Sequence, residues 1–180
     1  MKNLAIKHRI QLDNSLHPYG SCNCTSVAMV IEFLTGFSRV PRAIDDQPYA
    51  QFEEKLLAYC DLMGLDRHEH HHLKQLLEMC GVADIYREDG TADQVRRHID
   101  KGLPCISAGF YTASGHIVVI SGYNDEGFII HDPYGEWCID GYLRNYGDNG
   151  YGDGYLLSYG TWNALNVDQI GAWIHFCSVA

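Results

Sequence analysis

The chain has 180 residues, 46% apolar and 20% charged, a balance expected of one globular domain over 1–180 with room for a real core. A formal charge of −10 without any basic run argues against nucleic acid as a partner, since phosphate contacts need clustered Lys and Arg. The apolar stretches fall far short of a membrane span, and Met1 to Ile10 holds no apolar segment of signal-peptide length, so no membrane insertion and a cytoplasmic location are expected.

Taken in order, Ile6 to Leu12 alternates weakly and predicts a short strand that delivers Gln11 near its end. Asp13-Asn14 and His17-Pro18-Tyr19-Gly20 read as turns. From Cys22 to Leu34 the run is apolar almost all round, which predicts a buried helix ending near Thr35, with Gly36 as its left-handed cap. Phe37 to Tyr49 is polar and Pro-punctuated, a connection. Helical spacing returns over Gln51 to Met63, stopped by Gly64, and over about His71 to Cys80, capped by Gly81. Val82 to Tyr86 predicts a short strand. Thr91 is the expected N-cap of a helix reaching about Lys101.

Beyond Gly102-Leu103-Pro104 the texture turns to strands. Cys105 to Tyr111, His116 to Tyr123 and Gly127 to His131 are separated by hairpin-type connections. Asp132-Pro133-Tyr134-Gly135 is a turn, and Tyr142 to Gly154 reads as a long surface loop. Tyr155 to Tyr159 and Ala172 to Val179 are expected to close the sheet. Helices first and antiparallel strands second is an α+β pattern.

Four polar residues abut elements able to fix them. Cys22 opens the buried helix, where unpaired N–H groups and the positive dipole end favour a thiolate. His116 opens one strand and Asp132 follows the next, so their side chains can meet across a hairpin. Nucleophilic catalysis by Cys needs a base within hydrogen-bond reach, a third group to set the imidazole tautomer, and a donor for the oxyanion, a role open to the Gln11 amide. The seven cysteines, at 22, 24, 60, 80, 105, 138 and 177, are odd in number and scattered, which argues against a disulfide framework. Cys60, Cys80 and Cys105 read as small buried apolar residues. Cys24 is the rival nucleophile nearby.

The blocks Ser21 to Met29, Gly115 to Tyr123 and His131 to Trp137, in that order, resemble the bacteriocin-leader-peptidase-like, or double-glycine-peptidase-like, cysteine peptidases of the papain superfamily. The resemblance runs from about Ile6 to the C-terminal strand. It implies a papain-like α+β fold, with the nucleophile at Cys22, the base at His116, the orienting acid at Asp132 and the oxyanion amide at Gln11. Cys24 falls where that family varies, which implies a structural role. Asn23 and Cys24 replace the Leu, Gly and Pro that often surround the nucleophile. The absence of a transporter portion, and the Tyr/Gly segment after Asp132, resemble the free-standing, phage-type members. They imply an endolysin-like enzyme cutting an amide in peptidoglycan. The alternatives are a cytosolic cysteine peptidase, a transpeptidase resembling phytochelatin synthase, or a silent papain-like binding module. The expected partner is a peptide or peptidoglycan substrate, and this chemistry calls for no cofactor and no metal.

Three other patterns draw attention. His68-Glu69-His70-His71-His72 matches H-E-x-x-H formally, but it precedes the helix and reads as a solvated helix entry rather than a zinc site. Asp148 to Gly154 lacks the EF-hand register. Tyr142, Tyr146, Tyr151 and Tyr155 are candidates for lining a substrate groove.

Overall fold

The computed structural model describes residues 1–41, 49–143 and 150–180. In chain order the elements are β1 (Lys2–Asn3), α1 (Cys22–Thr35), α2 (Phe52–Met63), α3 (His70–Met79), β2 (Val82–Gly90), α4 (Ala92–Asp100), β3 (Cys105–Gly109), β4 (His116–Tyr123), β5 (Gly127–His131), β6 (Glu136–Cys138), β7 (Gly141–Leu143), β8 (Asp153–Ser158), α5 (Tyr159–Leu165), α6 (Val167–Ile170) and β9 (Ala172–Val179). The main sheet has the order β2-β9-β3-β4-β5-β8, with β1 added beside β4, and every pairing in it is antiparallel.

Helices cover both faces of this sheet, so its strands carry apolar residues on both sides. On β4, Val119 joins the core made by α1, α2 and α3, with Ile117 packed against it, while Val118 and Ile120 join the core made by α4 and α5. The first core holds Val27, Met29 and Val30 of α1 with Leu56 and Leu76 of the neighbouring helices; the second holds Val95, Ile99, Phe128 and Trp162. Helix α1 is buried continuously from Asn23 to Ile31 and stops at Gly36, whose φ of 73° suits a residue without Cβ. Thr91 caps α4 by accepting from the Gln94 N–H, as its position in the sequence predicts.

Several expectations are corrected. Ile6 to Leu12 forms no strand: Ile6, His8 and Ile10 are buried in alternation, but among the described residues no strand pairs with the segment, and its backbone is tied to a turn through Gln11 N–H and Pro133 O at 2.8 Å. Tyr142 to Gly154 is not one surface loop. Tyr142 belongs to a β6–β7 hairpin, Asp153 and Gly154 begin β8, and 144–149 lie outside the described residues. Part of the Phe37 to Tyr49 connection, 42–48, also lies outside them. The strand after Gly81 is longer than expected because β2 pairs with β9 over nearly its whole length. Helices α5 and α6 carry no counterpart in the sequence reading. Among the described residues no helix is long and apolar enough to cross a membrane.

Candidate active site

Cys22 is the first residue of α1, and the turn before it is built to place it. Gly20 N–H bonds to His17 O at 2.9 Å, and Asn14 Nδ2 donates to the buried Ser21 hydroxyl at 3.0 Å. Asn23 explains its own presence: its Oδ1 accepts from the Cys24 N–H at 2.8 Å and its Nδ2 donates to Arg67 O at 2.9 Å, fastening the helix start to the segment before α3. The Ser21 side chain does not cap α1, and with the Cys24 N–H taken by Asn23 the Cys22 N–H at the helix start is left facing the site.

Opposite this helix end, β4 and β5 supply the other two groups. His116 begins β4, Asp132 follows β5, and the two strands are neighbours. His116 Nε2 donates to Asp132 Oδ1 at 2.7 Å, with the Asp132 side chain wholly buried. Asp132 Oδ1 also accepts from the Tyr134 N–H at 2.8 Å, and Oδ2 from the Tyr142 hydroxyl at 3.1 Å. The backbone of Asp132 is held as firmly: its N–H bonds to Gly152 O and its carbonyl accepts from His8 Nε2, both at 2.8 Å. The His116 ring is surrounded edge-on by Tyr111, Tyr134 and Tyr142 at 5.9–6.1 Å. With Nε2 committed to Asp132, the other ring nitrogen is left for the thiol.

Electrostatics favour an ion pair. Burial opposes the Cys22 thiolate, but the charge and hydrogen bond of His116 and a hydrogen bond from the Ile117 N–H outweigh it, and the thiol pKa is lowered. Burial likewise opposes the imidazolium, yet Asp132 and Cys22 together raise His116 to about 10. Between these values a thiolate faces an imidazolium.

Among the described residues Gln11 makes no hydrogen bond to the pair. Its Nε2 donates to Pro18 O at 2.9 Å and its buried Oε1 has no partner there, so one amide hydrogen is uncommitted among the described residues. Gln11 thereby bridges the loop after Asp132, through Pro133 O, and the turn leading to Cys22.

Other sequence candidates are sorted by burial. Cys24 is fully buried, and hydrogen bonding with Cys60, together with burial, raises its thiol well above the ordinary range, so it is no rival nucleophile. His70 corrects the solvated reading of the His68–His72 run. It is half-buried, and its Nδ1 lies 3.0 Å from His175 Nε2. His72 Nδ1 instead accepts from the Asp66 N–H, and among the described residues no three His, Cys, Asp or Glu side chains are placed to hold a metal. The tyrosine-lined groove is absent as drawn. Tyr142 is spent on Asp132, Tyr155 is buried, Tyr151 is not among the cleft residues, and Tyr146 lies outside the described residues. Of the Asp148 to Gly154 stretch, Asp148 and Asn149 also lie outside them, while Asp153 Oδ1 faces His131 Nδ1 at 3.1 Å.

A cleft of about 250 Å³ opens at the Cys22–His116 pair, lined also by Asn23, Ala108, Gly109, Gly115, His70 and Trp173. The sequence reading missed His8 and the cleft residue Trp173, and it noted Tyr142 and His70 in other roles, as a groove tyrosine and as part of a solvated helix entry.

Residues 3–160 match the Peptidase_C39 like family. The fold is similar to a C39-like peptidase from Bacillus anthracis, with TM-score 0.59, 13% identity, and 98% of this chain and 97% of that one covered. It is also similar to a double glycine motif protease from an AMS/PCAT transporter, solved in complex with the leader peptide, with TM-score 0.54, 13% identity, and 100% and 99% covered. No curated protein matches. These findings overturn the cell-wall expectation: the family is one of peptidases, the liganded relative holds a peptide, and nothing points to peptidoglycan, an endolysin or a phage. The structural reason is local, since the Tyr/Gly segment that resembled the phage-type members braces Asp132 through Tyr142 and Gly152.

Proposed function

The chain belongs to the Peptidase_C39 like family, cysteine peptidases of papain-like fold, and from that premise we propose that as a single domain it cuts a peptide bond beside small residues, in the manner of double-glycine leader processing. The observation that carries this reading is the meeting of Cys22 with His116, itself held by the buried Asp132, at a cleft of about 250 Å³ whose lining includes Ala108, Gly109 and Gly115. Such a volume lies below the usual range for drug-sized ligands, about 300–1,000 Å³, and suits short side chains.

The Cys22 thiolate attacks the carbonyl carbon, and the carbonyl π electrons move to oxygen. The Cys22 N–H and the free Gln11 amide hydrogen receive that oxyanion. The C–N bond then breaks, and the His116 imidazolium gives its proton to the leaving amine. Water, deprotonated by the now neutral His116, hydrolyses the thioester and regenerates the thiol. Asp132 keeps the His116 ring aimed throughout.

The test is a panel of synthetic peptides differing only at the two residues before the cut, with Gly-Gly, Ala-Ala or Val-Val, read by mass spectrometry. Gly-Gly is expected to be cut fastest, by at least about ten-fold over Val-Val, from the ~1–3 kcal/mol that one misfitted apolar group costs. Cys22→Ala is expected to cut none. Turnover in Cys22→Ala, or equal rates on all three peptides, overturns the reading.

A further inference from the structure

A second chain of polar groups runs into the same cleft. Asp84 on β2 and His175 on β9 are buried, at 4% and 0% exposure. Asp84 Oδ2 accepts from His175 Nδ1 at 2.6 Å, and His175 Nε2 meets His70 Nδ1 at 3.0 Å. His70, the first residue of α3, lines the cleft together with Cys22 and His116. Its ring is clamped, stacked on Tyr86 and edge-on to Trp173, each at 4.9 Å. Burial, then His175 and His71, lower its pKa to about 4, so it is neutral near pH 7.

A carboxylate buried in a sheet is unfavourable unless it is paired, and an apolar side chain would pack there with no such penalty. What Asp84 does provide is direction. It holds the proton of His175 on Nδ1. With one proton on each ring, His175 Nε2 is a lone pair, and His70 donates to it from Nδ1. His70 Nε2 is then an acceptor. The arrangement parallels the triad, in which a carboxylate sets an imidazole and the imidazole sets the group at the cleft. A peptide in that cleft offers one donor at nearly every residue, its backbone N–H.

We propose that His70 is a substrate-binding residue that accepts a hydrogen bond from a backbone N–H of the peptide near the scissile bond, with Asp84 and His175 as positioning residues that fix its tautomer. This rests on the peptidase reading above. It adds a contact that senses the peptide backbone rather than its side chains.

Two variants and one substrate series test it. His70→Phe keeps the ring stack and removes the acceptor. Asp84→Asn keeps the size but lets an amide N–H donate to His175 Nδ1, which turns each tautomer over and makes His70 present a donor. With the wild-type peptide, both variants are expected to raise KM about 3–10-fold, the worth of one hydrogen bond, while kcat moves less than KM. Replacing the peptide amides near the cut by esters, one at a time, is expected to cost the wild type the same factor at a single position. His70→Phe is expected to lose nothing further at that position, the non-additivity of one shared bond. An unchanged KM in His70→Phe, or losses that add at every ester position, overturns the proposal. If Asp84→Asn does not fold, His70→Phe and the ester series decide alone. Cys22→Ala keeps the two readings separate: if it still turns over, the peptidase reading fails, whereas a dead Cys22→Ala beside an unmoved KM in His70→Phe refutes only the role of His70.

Discussion

Asp132→Asn removes one charge from the centre of the site and leaves the shape almost unchanged. The carboxylate is wholly buried and receives His116 Nε2 at 2.7 Å, the Tyr134 N–H at 2.8 Å and the Tyr142 hydroxyl at 3.1 Å. A hydrogen bond to a charged group contributes about 1.5–3 kcal/mol, roughly twice a neutral one. At about 1.36 kcal/mol per pH unit, exchanging one for the other lowers the His116 pKa by roughly one unit. The productive pair is thiolate with imidazolium. It forms as pH rises through the lowered Cys22 pKa and is lost as pH rises through that of His116, near 10. The alkaline limb of kcat/KM is therefore expected to move down by roughly one unit. The acid limb should move less, because Asp132's own charge opposes the thiolate and its loss partly offsets the weaker imidazolium. An Asn amide that donates to Nε2 also holds the wrong tautomer, a fault that costs about 10⁴ in kcat in a serine triad, so a fall of about 10²–10⁴ is expected here. The assay is kcat/KM against pH on a cleavable peptide, with the iodoacetamide alkylation rate of Cys22 followed in parallel. A variant within about three-fold of wild type, its alkaline limb unmoved, would refute the assignment of Asp132.

Further outcomes follow from neighbouring residues. Gln11→Ala is expected to lower kcat about 10²–10³-fold with little change in KM, as for loss of one oxyanion donor; a fall below about three-fold in single-turnover kinetics removes Gln11 from that role. Gly152 has φ 86°, and a Cβ there would lie 2.4 Å from Asp132 O, so Gly152→Ala should cost about 2–3 kcal/mol in urea unfolding and most of the activity; a midpoint within error of wild type contradicts the close approach. Arg9 Nη1 pairs with Glu53 at 2.7 Å, with the Glu53 side chain at 0% exposure, so Arg9→Met should lose about 3–5 kcal/mol and Arg9→Met with Glu53→Gln noticeably less. Equal losses in the single and double variants would show that the pair is not coupled.

Much of the scaffold was legible because its signals are local. Helix α1 announces itself by an unbroken apolar run closed by Gly36, and α4 by Thr91 and Gln94. Ile6 to Leu12 shows the limit of alternation: its inward residues are the ones expected, yet a strand also needs a partner edge, which alternation does not encode. Helix α5 carried a readable start, with Ser158 accepting from the Thr161 N–H, but Gly160 and a length of 7 residues weakened its periodicity. Cys22, His116 and Asp132 could be singled out because each adjoins an element end. Tyr142 was legible only as a groove candidate, since its bond to Asp132 depends on the short β6–β7 hairpin turning it back onto that carboxylate. The Asp84–His175–His70 relay was equally hidden, because its carboxylate and its central imidazole lie 91 residues apart.

Strand β9 lies between β2 and β3, both of which precede it in the chain. The sheet therefore cannot be zipped up in the order of synthesis: β2 and β3 must wait, unpaired on their facing edges, until β9 slots between them. Trp173 and His175 arrive with that strand, so the cleft wall and the far end of the His70 relay come into being only when β9 docks. Without β9 in place, Cys22 and His116 would face a cleft that lacks its Trp173 wall.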